Sequence, residues 1–376
     1  MNALYDLLAA VRRYGPDVEK YRTLGEIKAT LHPNGELLIF NYTPKATYNR
    51  KWPQLERICR GLIVHWPTAT VRALPFDKFF NLNEMPETQP EALPEGPIEA
   101  TVKLDGSLAI TYHDGTDWAV ATRGSFAGPQ AQWATAFLRA RHALDKLPAD
   151  LTLLFEMIYP ANRVVVNYGD TEALILIGAR WHDGRDASYA ELTTLGQRFN
   201  LPVVETITVT GLDELVALAQ SEIGVEGWVM RFTNGLRAKI KTIDYIQLSR
   251  FLVGLTSAKI RDLLLESPDR CQKYILALPD ELQDEASALV DAITALVGNE
   301  VERLRNLMAG PLATAAQASR REFAEVARRD YPADAPFLFK LLDSHDIHNI
   351  VLRKLDLTAL GLSSVMTQRQ QRALEG

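Results

Sequence analysis

The chain has 376 residues, 47% of them hydrophobic and 23% charged, an ordinary globular composition at a length that suggests two domains. A formal net charge of −6 argues against an indiscriminate nucleic-acid binder, so any grip on a polyanion must come from a local concentration of cations. Cys59 and Cys271 lie far apart and fit no metal-ligand spacing, which suits a reducing cytoplasm; no stretch approaches the roughly 20 apolar residues that span a bilayer.

The opening "MNALYDLLAAVRRYG" spaces Leu4, Leu7, Leu8 and Val11 along one helical face. It has no long apolar core or cleavage-site pattern, so a folded helix is expected and a signal peptide is not. Strands are expected at 36–42, 61–65 and 70–74, and the Pro-rich "NEMPETQPEALPEGP" at 83–97 reads as an exposed connector. In "ATVKLDGSLAITYHDG", Thr101 and Val102 lead into Asp105-Gly106, and Leu108, Ile110 and Tyr112 alternate beyond. Asp-Gly between alternating apolar runs predicts a hairpin over 99–112, with Lys103 where the first strand enters the turn. Further strands are expected at 117–122, 151–159, 173–180 and 203–209, with a second hairpin over 227–241 tipped by Asn234-Gly235. Helices are expected at 129–146, 188–199 and 212–222. Residues 1–250 therefore read as an α+β domain on antiparallel sheets. From about residue 251 the pattern changes to amphipathic helices such as "ELQDEASALVDAITALVGNEVERLRNLM", which predicts an all-helical domain over 251–376.

Lys-x-Asp-Gly alone is a weak signal, but its neighbours extend it. Arg60 stands at a strand entrance, Lys78 precedes two aromatics, Arg123 lies in "ATRGSF", and Glu156 interrupts an otherwise apolar strand. Glu226 precedes a glycine, and Lys239 and Lys241, two apart, share one face of a strand. Like charges on one face need a reason to coexist, and an anion supplies it. A triphosphate needs several cations, carboxylates for Mg²⁺ or ribose, and a glycine where backbone approaches closely. It also accounts for Lys103 as a nucleophile. Lysine is a poor one when protonated at its free pKa of about 10.4, and neighbouring cations favour its neutral form. Attack on an α-phosphorus would form a lysyl-nucleotide phosphoramidate and expel pyrophosphate.

The ordered set "KLDGSL", "FEMIYPANR", "VEGWV" and "KIK" resembles motifs I, III, IV and V of the covalent nucleotidyltransferases, the nucleic-acid ligases and mRNA-capping enzymes. The stretches "IFNY", "CRG", "DKFFNLNE", "RGS" and "PANRVV" are similar to the T-even-phage RNA ligase 1 family in particular, from about Leu38 to Tyr245. That resemblance implies a nucleotidyltransferase (adenylation) domain and an ATP-dependent joining of RNA 5′-phosphate and 3′-hydroxyl ends. The implied route uses Mg²⁺, or Mn²⁺ in its place, and AMP carried covalently on Lys103. By the same resemblance Tyr42, Arg60 and Lys78 face the triphosphate, Glu156 serves the ribose or the metal's hydration shell, and Glu226 serves the metal. Lys239 and Lys241 hold the α-phosphate through the transition state. Asp105 and Gly106 fix the turn and permit close backbone approach. Phe80 and Tyr245 match family positions important for ligation, with no physical role evident from sequence. Arg123 stands where the family usually has lysine, keeping the charge but changing its reach. The resemblance further implies a monomer that repairs RNA, tRNA among the candidates, in the cytoplasm (the host's if phage-encoded) with no membrane partner, and a helical domain that sets RNA-substrate specificity.

Blander readings stand beside these. Lys103 could be a surface hairpin lysine, Glu156 an outward strand residue, and Lys239 and Lys241 a solvated face. Arg60 and Lys78 could form structural salt bridges, and Tyr42 and Phe80 could be core or rim packing. Within enzymes, a DNA ligase or capping guanylyltransferase typically follows Lys-x-Lys with a strand-rich domain, whereas helical signals follow here. A catalytically inert nucleotide- or RNA-binding module would have no use for an activated lysine. His345 and His348 share a possible helix face without further ligands, so ordinary surface histidines are expected. Arg320, Arg321, Arg328 and Arg329 could grip RNA phosphates, but Glu325 lies four residues from both Arg321 and Arg329, which favours a self-paired face.

Overall fold

Alternating apolar residues in the first 250 positions build three sheets, because each strand offers one side-chain face to each of two neighbouring layers. The computed structural model describes residues 3–49, 51–252, 255–278 and 280–357, and the chain divides into two compact units between Ser249 and Arg250. The end of the expected helical domain, 358–376, lies outside the described residues. The strands are Ile27–Leu31 (β1), Leu37–Tyr42 (β2), Arg60–His65 (β3), Thr70–Ala73 (β4), Phe80–Asn81 (β5), Glu99–Lys103 (β6) and Ser107–His113 (β7). Trp118–Ala121 (β8), Leu151–Ile158 (β9), Ala173–Trp181 (β10), Thr206–Ile207 (β11), Gly227–Arg231 (β12) and Arg237–Lys241 (β13) follow. They pair as β1-β2-β3-β4, as β10-β9-β7-β8, and as β11-β6-β12-β13-β5. Every pairing is antiparallel except β13 with β5. Helices Ala3–Tyr14 (α1), Pro44–Asn49 (α2), Gln54–Ile58 (α3), Pro129–Arg141 (α4), Tyr189–Phe199 (α5), Leu212–Ser221 (α6) and Ile243–Leu252 (α7) accompany these strands.

The layers follow from the alternation. Leu38 and Phe40 of β2 meet Leu7 and Val11 of α1, while Leu37 and Ile39 on the opposite face meet Ile110, Tyr112 and Leu154 of the second sheet. Leu153, Phe155 and Met157 of β9 turn the other way, onto Leu138 of α4 and Leu192 of α5. With both faces of β9 covered, its sequence is almost wholly apolar, and Glu156 continues the Leu154 face beyond the packed layer. In the third sheet Ala100, Trp228, Met230 and Ala238 pack on Leu215 and Ala219 of α6. The opposite face of that sheet carries charge.

The hairpin expected over 99–112 does not form. β6 pairs with β11 and β12, β7 pairs with β8 and β9, and the two belong to different sheets. Leu104-Asp105-Gly106 is a crossover between layers. The Asp-Gly signal reports a local bend, but pairing is decided by which faces can be buried, and these strands bury theirs against different layers. The helix expected over 129–146 ends at Arg141; Leu144 and Leu147 reach the core as loop residues, and Pro148 disfavours helix at the residue before it. Of the strand expected over 203–209 only Thr206–Ile207 pairs with β6. Strand β1 and the two-residue β5 are short elements that the sequence pattern leaves unmarked.

The second unit contains Ser257–Glu266 (α8), Pro268–Ala277 (α9), Asp280–Ala309 (α10), Ala313–Ala318 (α11), Arg320–Asp330 (α12), Ala335–Leu342 (α13) and His348–Lys354 (α14). Their core gathers Ile260, Leu263, Ile293, Leu304, Phe323 and Val351. Arg321 pairs with Glu325 and Arg329 with Asp330 within α12, whereas Arg320 pairs with Asp343 beyond it, so Glu325 serves one of its two expected arginines. His345 and His348 are exposed, and no group of three or more His, Cys, Asp or Glu able to hold a metal occurs among the described residues. No helix among them is long and apolar enough to cross a membrane.

Gly178 of β10 tests the packing. A Cβ there would lie 2.2 Å from Cζ of Phe76, whose ring is buried between layers. Gly178→Ala is expected to cost about 1–3 kcal/mol by overpacking, read as a lower denaturant midpoint at unchanged slope.

Candidate active site

The charged face of the third sheet is set by register. Lys103 of β6 and Lys241 of β13 lie opposite one another across Gly227 of β12, and Thr101 and Lys239 lie across Val229 one row further in. Residues in one row share a face, so three lysines and a glycine line the same surface. Gly227 lets the β12 backbone lie close against that of β13 at this row. It has φ +146°, and a Cβ there would lie 2.0 Å from the Ile240 carbonyl oxygen. Glu226, only 1% exposed, places Oε1 2.7 Å from Lys103 Nζ and 3.0 Å from Lys241 Nζ. Its backbone is pinned as well, its carbonyl accepting from Thr242 N at 2.9 Å. Asn81 of β5 lies beside Lys239, which extends the polar row to the sheet's edge.

The crossover after Lys103 is held by one carboxylate. Asp105 Oδ2 accepts from the backbone N–H groups of Val165 and Val166, both at 2.7 Å, and Oδ1 accepts from Tyr245 Oη at 2.8 Å. Asp105 N donates to Tyr168 Oη at 2.9 Å. Burial pushes the Asp105 carboxyl above its usual range, the nearby Glu226 adds to that, and the three hydrogen bonds pull it back. Tyr245 thereby gains the physical role it lacked in the sequence. Its ring lies 4.9 Å from Lys241 Nζ while its hydroxyl holds Asp105, so it ties β13 to the Lys103 crossover. Gly106 is required for space: a Cβ there would lie 2.4 Å from Met157 O and 3.1 Å from Glu156 Cγ. Glu156 is thus packed against the crossover. Asn162 braces the same place, donating to Met157 O at 2.9 Å and accepting from Ser107 Oγ at 3.1 Å.

A second cluster forms at the end of β2. Lys78 Nζ lies 4.4 Å from the Trp52 ring, 5.2 Å from Phe80 and 5.6 Å from Tyr42, a three-sided aromatic seat for an ammonium. Arg123 Nη1 donates to Tyr42 Oη at 2.6 Å. Phe80 is 2% exposed, and its ring meets Trp52, Lys78 and the Arg57 guanidinium at 5.0 Å. Arg60, at the start of β3 beside Asn41, lies 5.7 Å over Phe79. Lys103, Glu226, Lys241, Glu156, Asp105 and Tyr245 are therefore brought together directly. Tyr42, Lys78, Phe80 and Arg123 form the neighbouring cluster, linked to the first through β5. Sequence reasoning missed Trp52 and Tyr168: each is a lone aromatic in irregular chain, with no periodic pattern to mark it.

The donors also fit a divalent cation of the Mg²⁺ kind. Mg²⁺ ordinarily takes one or two carboxylates and fills its shell with phosphate and water. Glu226 Oε2 is buried with no hydrogen-bond partner among the described residues, beside the face that carries Lys103, Lys239 and Lys241.

Comparison with known proteins gives a family match, relatives in sequence and a solved structure of weaker likeness. The family described as RNA ligase matches residues 58–246, half of the chain. The "Putative RNA ligase" of Thermovibrio ammonificans is 33% identical over 201 residues, 50% of this chain and 51% of that protein, so the match spans about half that relative's length. The RNA ligase of Rhodothermus phage RM378 is 25% identical over 392 residues, 83% of each chain. A solved archaeal ATP-dependent RNA ligase aligns with a TM-score of 0.48 at 17% identity, covering 91% of this chain and 99% of that one.

The Asp105 network carries a pH signature. Its native pKa stands above the 3.8 of a free carboxyl, so the folded chain holds the proton more tightly than the unfolded one. The resulting stabilisation is fully present below pH 3.8 and is lost as pH rises through the raised native value. Tyr245→Phe deletes a bond to the carboxylate and raises that value further. The variant is expected to lose about 1.5–3 kcal/mol at neutral pH and less at pH 4, checked by denaturant unfolding across that range.

Proposed function

The chain belongs to the RNA ligase family, and from that premise we propose that it joins RNA 5′-phosphate and 3′-hydroxyl ends with ATP, through AMP carried on Lys103. The observation that carries this reading is the Lys103–Glu226–Lys241 cluster across Gly227. A site meant only to bind a nucleotide has no need of a lysine held 2.7 Å from a buried carboxylate.

In the first step Lys103 Nζ gives up one proton to solvent, its neutral form favoured by the neighbouring ammonium groups of Lys239 and Lys241. The amine forms an N–P bond to the α-phosphorus, the bond from that phosphorus to the bridging oxygen breaks, and pyrophosphate leaves with those electrons. The second amine proton is lost to solvent. Lys239 and Lys241, fixed on one strand face, meet the charge that develops on the α-phosphate. Such charge preorganised by the fold lowers the barrier, because nothing need reorient during the reaction. Lys78, Arg60 and Arg123, with Tyr42, bind the β- and γ-phosphates, and Glu156 serves the ribose or a cation's hydration shell. A Mg²⁺ ion held at Glu226 Oε2 would neutralise phosphate charge and polarise the α-phosphorus. AMP then passes to an RNA 5′-phosphate, and a 3′-hydroxyl displaces it to seal the strand.

Incubation with Mg²⁺ and α-labelled ATP should leave label on the protein after denaturation, while α-labelled GTP should leave none. Lys103→Ala should abolish the label, and Lys241→Met should slow its appearance by about 10²-fold, the usual loss for one preorganised charge donor. Offering labelled protein RNA and DNA ends in parallel should give joined RNA. Labelling from GTP alone would indicate capping chemistry, and no label from either nucleotide would remove the ligase reading.

A further inference from the structure

Between β4 and β5 the chain runs through residues 74–79 with no strand or helix, so no backbone ladder sets the position of Lys78. One backbone bond and a set of side chains do it instead. Arg180 of β10 donates through Nη1 to Pro75 O at 2.8 Å and to Asp77 Oδ1 at 2.7 Å. Its Nε lies 3.3 Å from Asp186 Oδ1. Asp186 pairs in turn with Arg237 of β13, whose guanidinium covers the Phe76 ring at 3.8 Å. The opposite edge of that ring occupies the space left by Gly178. Thus second-sheet Arg180 and third-sheet Arg237 are joined by Asp186 and close on the three residues before Lys78.

Half-buried ion pairs such as these are a poor way to hold layers together, since apolar residues of similar volume serve stability as well or better. What charges supply is direction. Arg180 presents a fixed fork, and with Nη1 spanning a carbonyl and a carboxylate it sets the path of residues 75–77 at two points. The next residue is Lys78, whose backbone N–H donates to Arg57 O at 2.8 Å and whose ammonium enters the Tyr42–Trp52–Phe80 seat.

We propose that Asp77 and Arg180, locked by Asp186, are positioning residues for the triphosphate. They set the backbone from which Lys78 reaches the β- and γ-phosphates, and they touch no substrate themselves. This rests on the reading of Lys78 as a triphosphate-facing residue in an ATP-dependent ligase. It makes a selective claim, because only formation of lysyl-AMP uses those phosphates. Sealing of RNA that already carries a 5′-AMP does not.

The test measures both half-reactions on the full chain. For Asp77→Asn, the KM for ATP in lysyl-AMP formation should rise about tenfold, the size of one charge-assisted hydrogen bond. The rate at saturating ATP and the sealing of pre-adenylylated RNA should stay within about twofold of wild type. Arg180→Lys keeps the charge but loses the fork, and should raise the same KM by less than Arg180→Met does. An unchanged KM in Asp77→Asn, or equal losses in both half-reactions, overturns the proposal and leaves the clamp a fold-stabilising device. An unchanged KM in Lys78→Ala overturns it at its premise while leaving the ligase reading intact. A wild-type chain that forms no lysyl-AMP overturns both.

Discussion

A carboxylate that is 1% exposed is tolerated only if its lost hydration is replaced, and Glu226 is given two ammonium groups on one oxygen. Much of the larger unit follows from that arrangement. Lys103 and Lys241 must sit in one register row on strands two apart, which requires β12 between them. The residue of β12 in that row must be a glycine, because at its φ of +146° a Cβ would run into the Ile240–Lys241 backbone of β13. The glycine's positive φ in turn lets the preceding Glu226 enter from the strand's end. Remove the carboxylate and the two ammonium groups face each other at close range; remove either lysine and a buried charge is left half-compensated.

The same constraint explains the crossover. Lys103 ends its strand at the point where the chain leaves one sheet for another, so its place depends on how that crossover is held. A turn there could flex. Asp105 prevents this by collecting two backbone N–H groups from 165–166 and the Tyr245 hydroxyl, so three distant segments converge on one carboxylate. Gly106 lets the crossover lie against the β9 backbone. Asp and Gly are therefore both needed here, but for burial and contact, where the local pattern suggests a hairpin turn.

That difference shows where the sequence is legible. The apolar runs "LLIFNY" and "LTLLFEMI" and the alternation of "RAKIK" are properties of single strands, and each element appears close to its expected place. Lys239 and Lys241 on one face follow from period two alone. Pairing is different: whether β6 joins β7 depends on layers supplied by residues far along the chain, and no local signal carries it. The Arg180–Asp186–Arg237 chain was equally hidden, since arginine and aspartate at such spacings are commonplace on a surface. Tyr245 could be singled out by resemblance, yet its role becomes visible only when Asp105, 140 residues earlier, lies 2.8 Å from its hydroxyl.

Charge placement separates the two units. In the first, cations crowd one sheet face and are balanced by a few buried carboxylates, an arrangement that a compact polyphosphate can complete. In the second, arginines are matched at the surface: Arg303 with Glu300 and Asp334, Arg320 with Asp343, Arg321 with Glu325, Arg329 with Asp330. Exposed pairs of this kind are each worth little and weaken with salt. A phosphate backbone approaching them exchanges one anion for another and gains mainly by releasing counterions. A chain of net charge −6 thus still concentrates positive charge on one sheet face of its first unit, where Glu226 and Asp105 are the buried carboxylates.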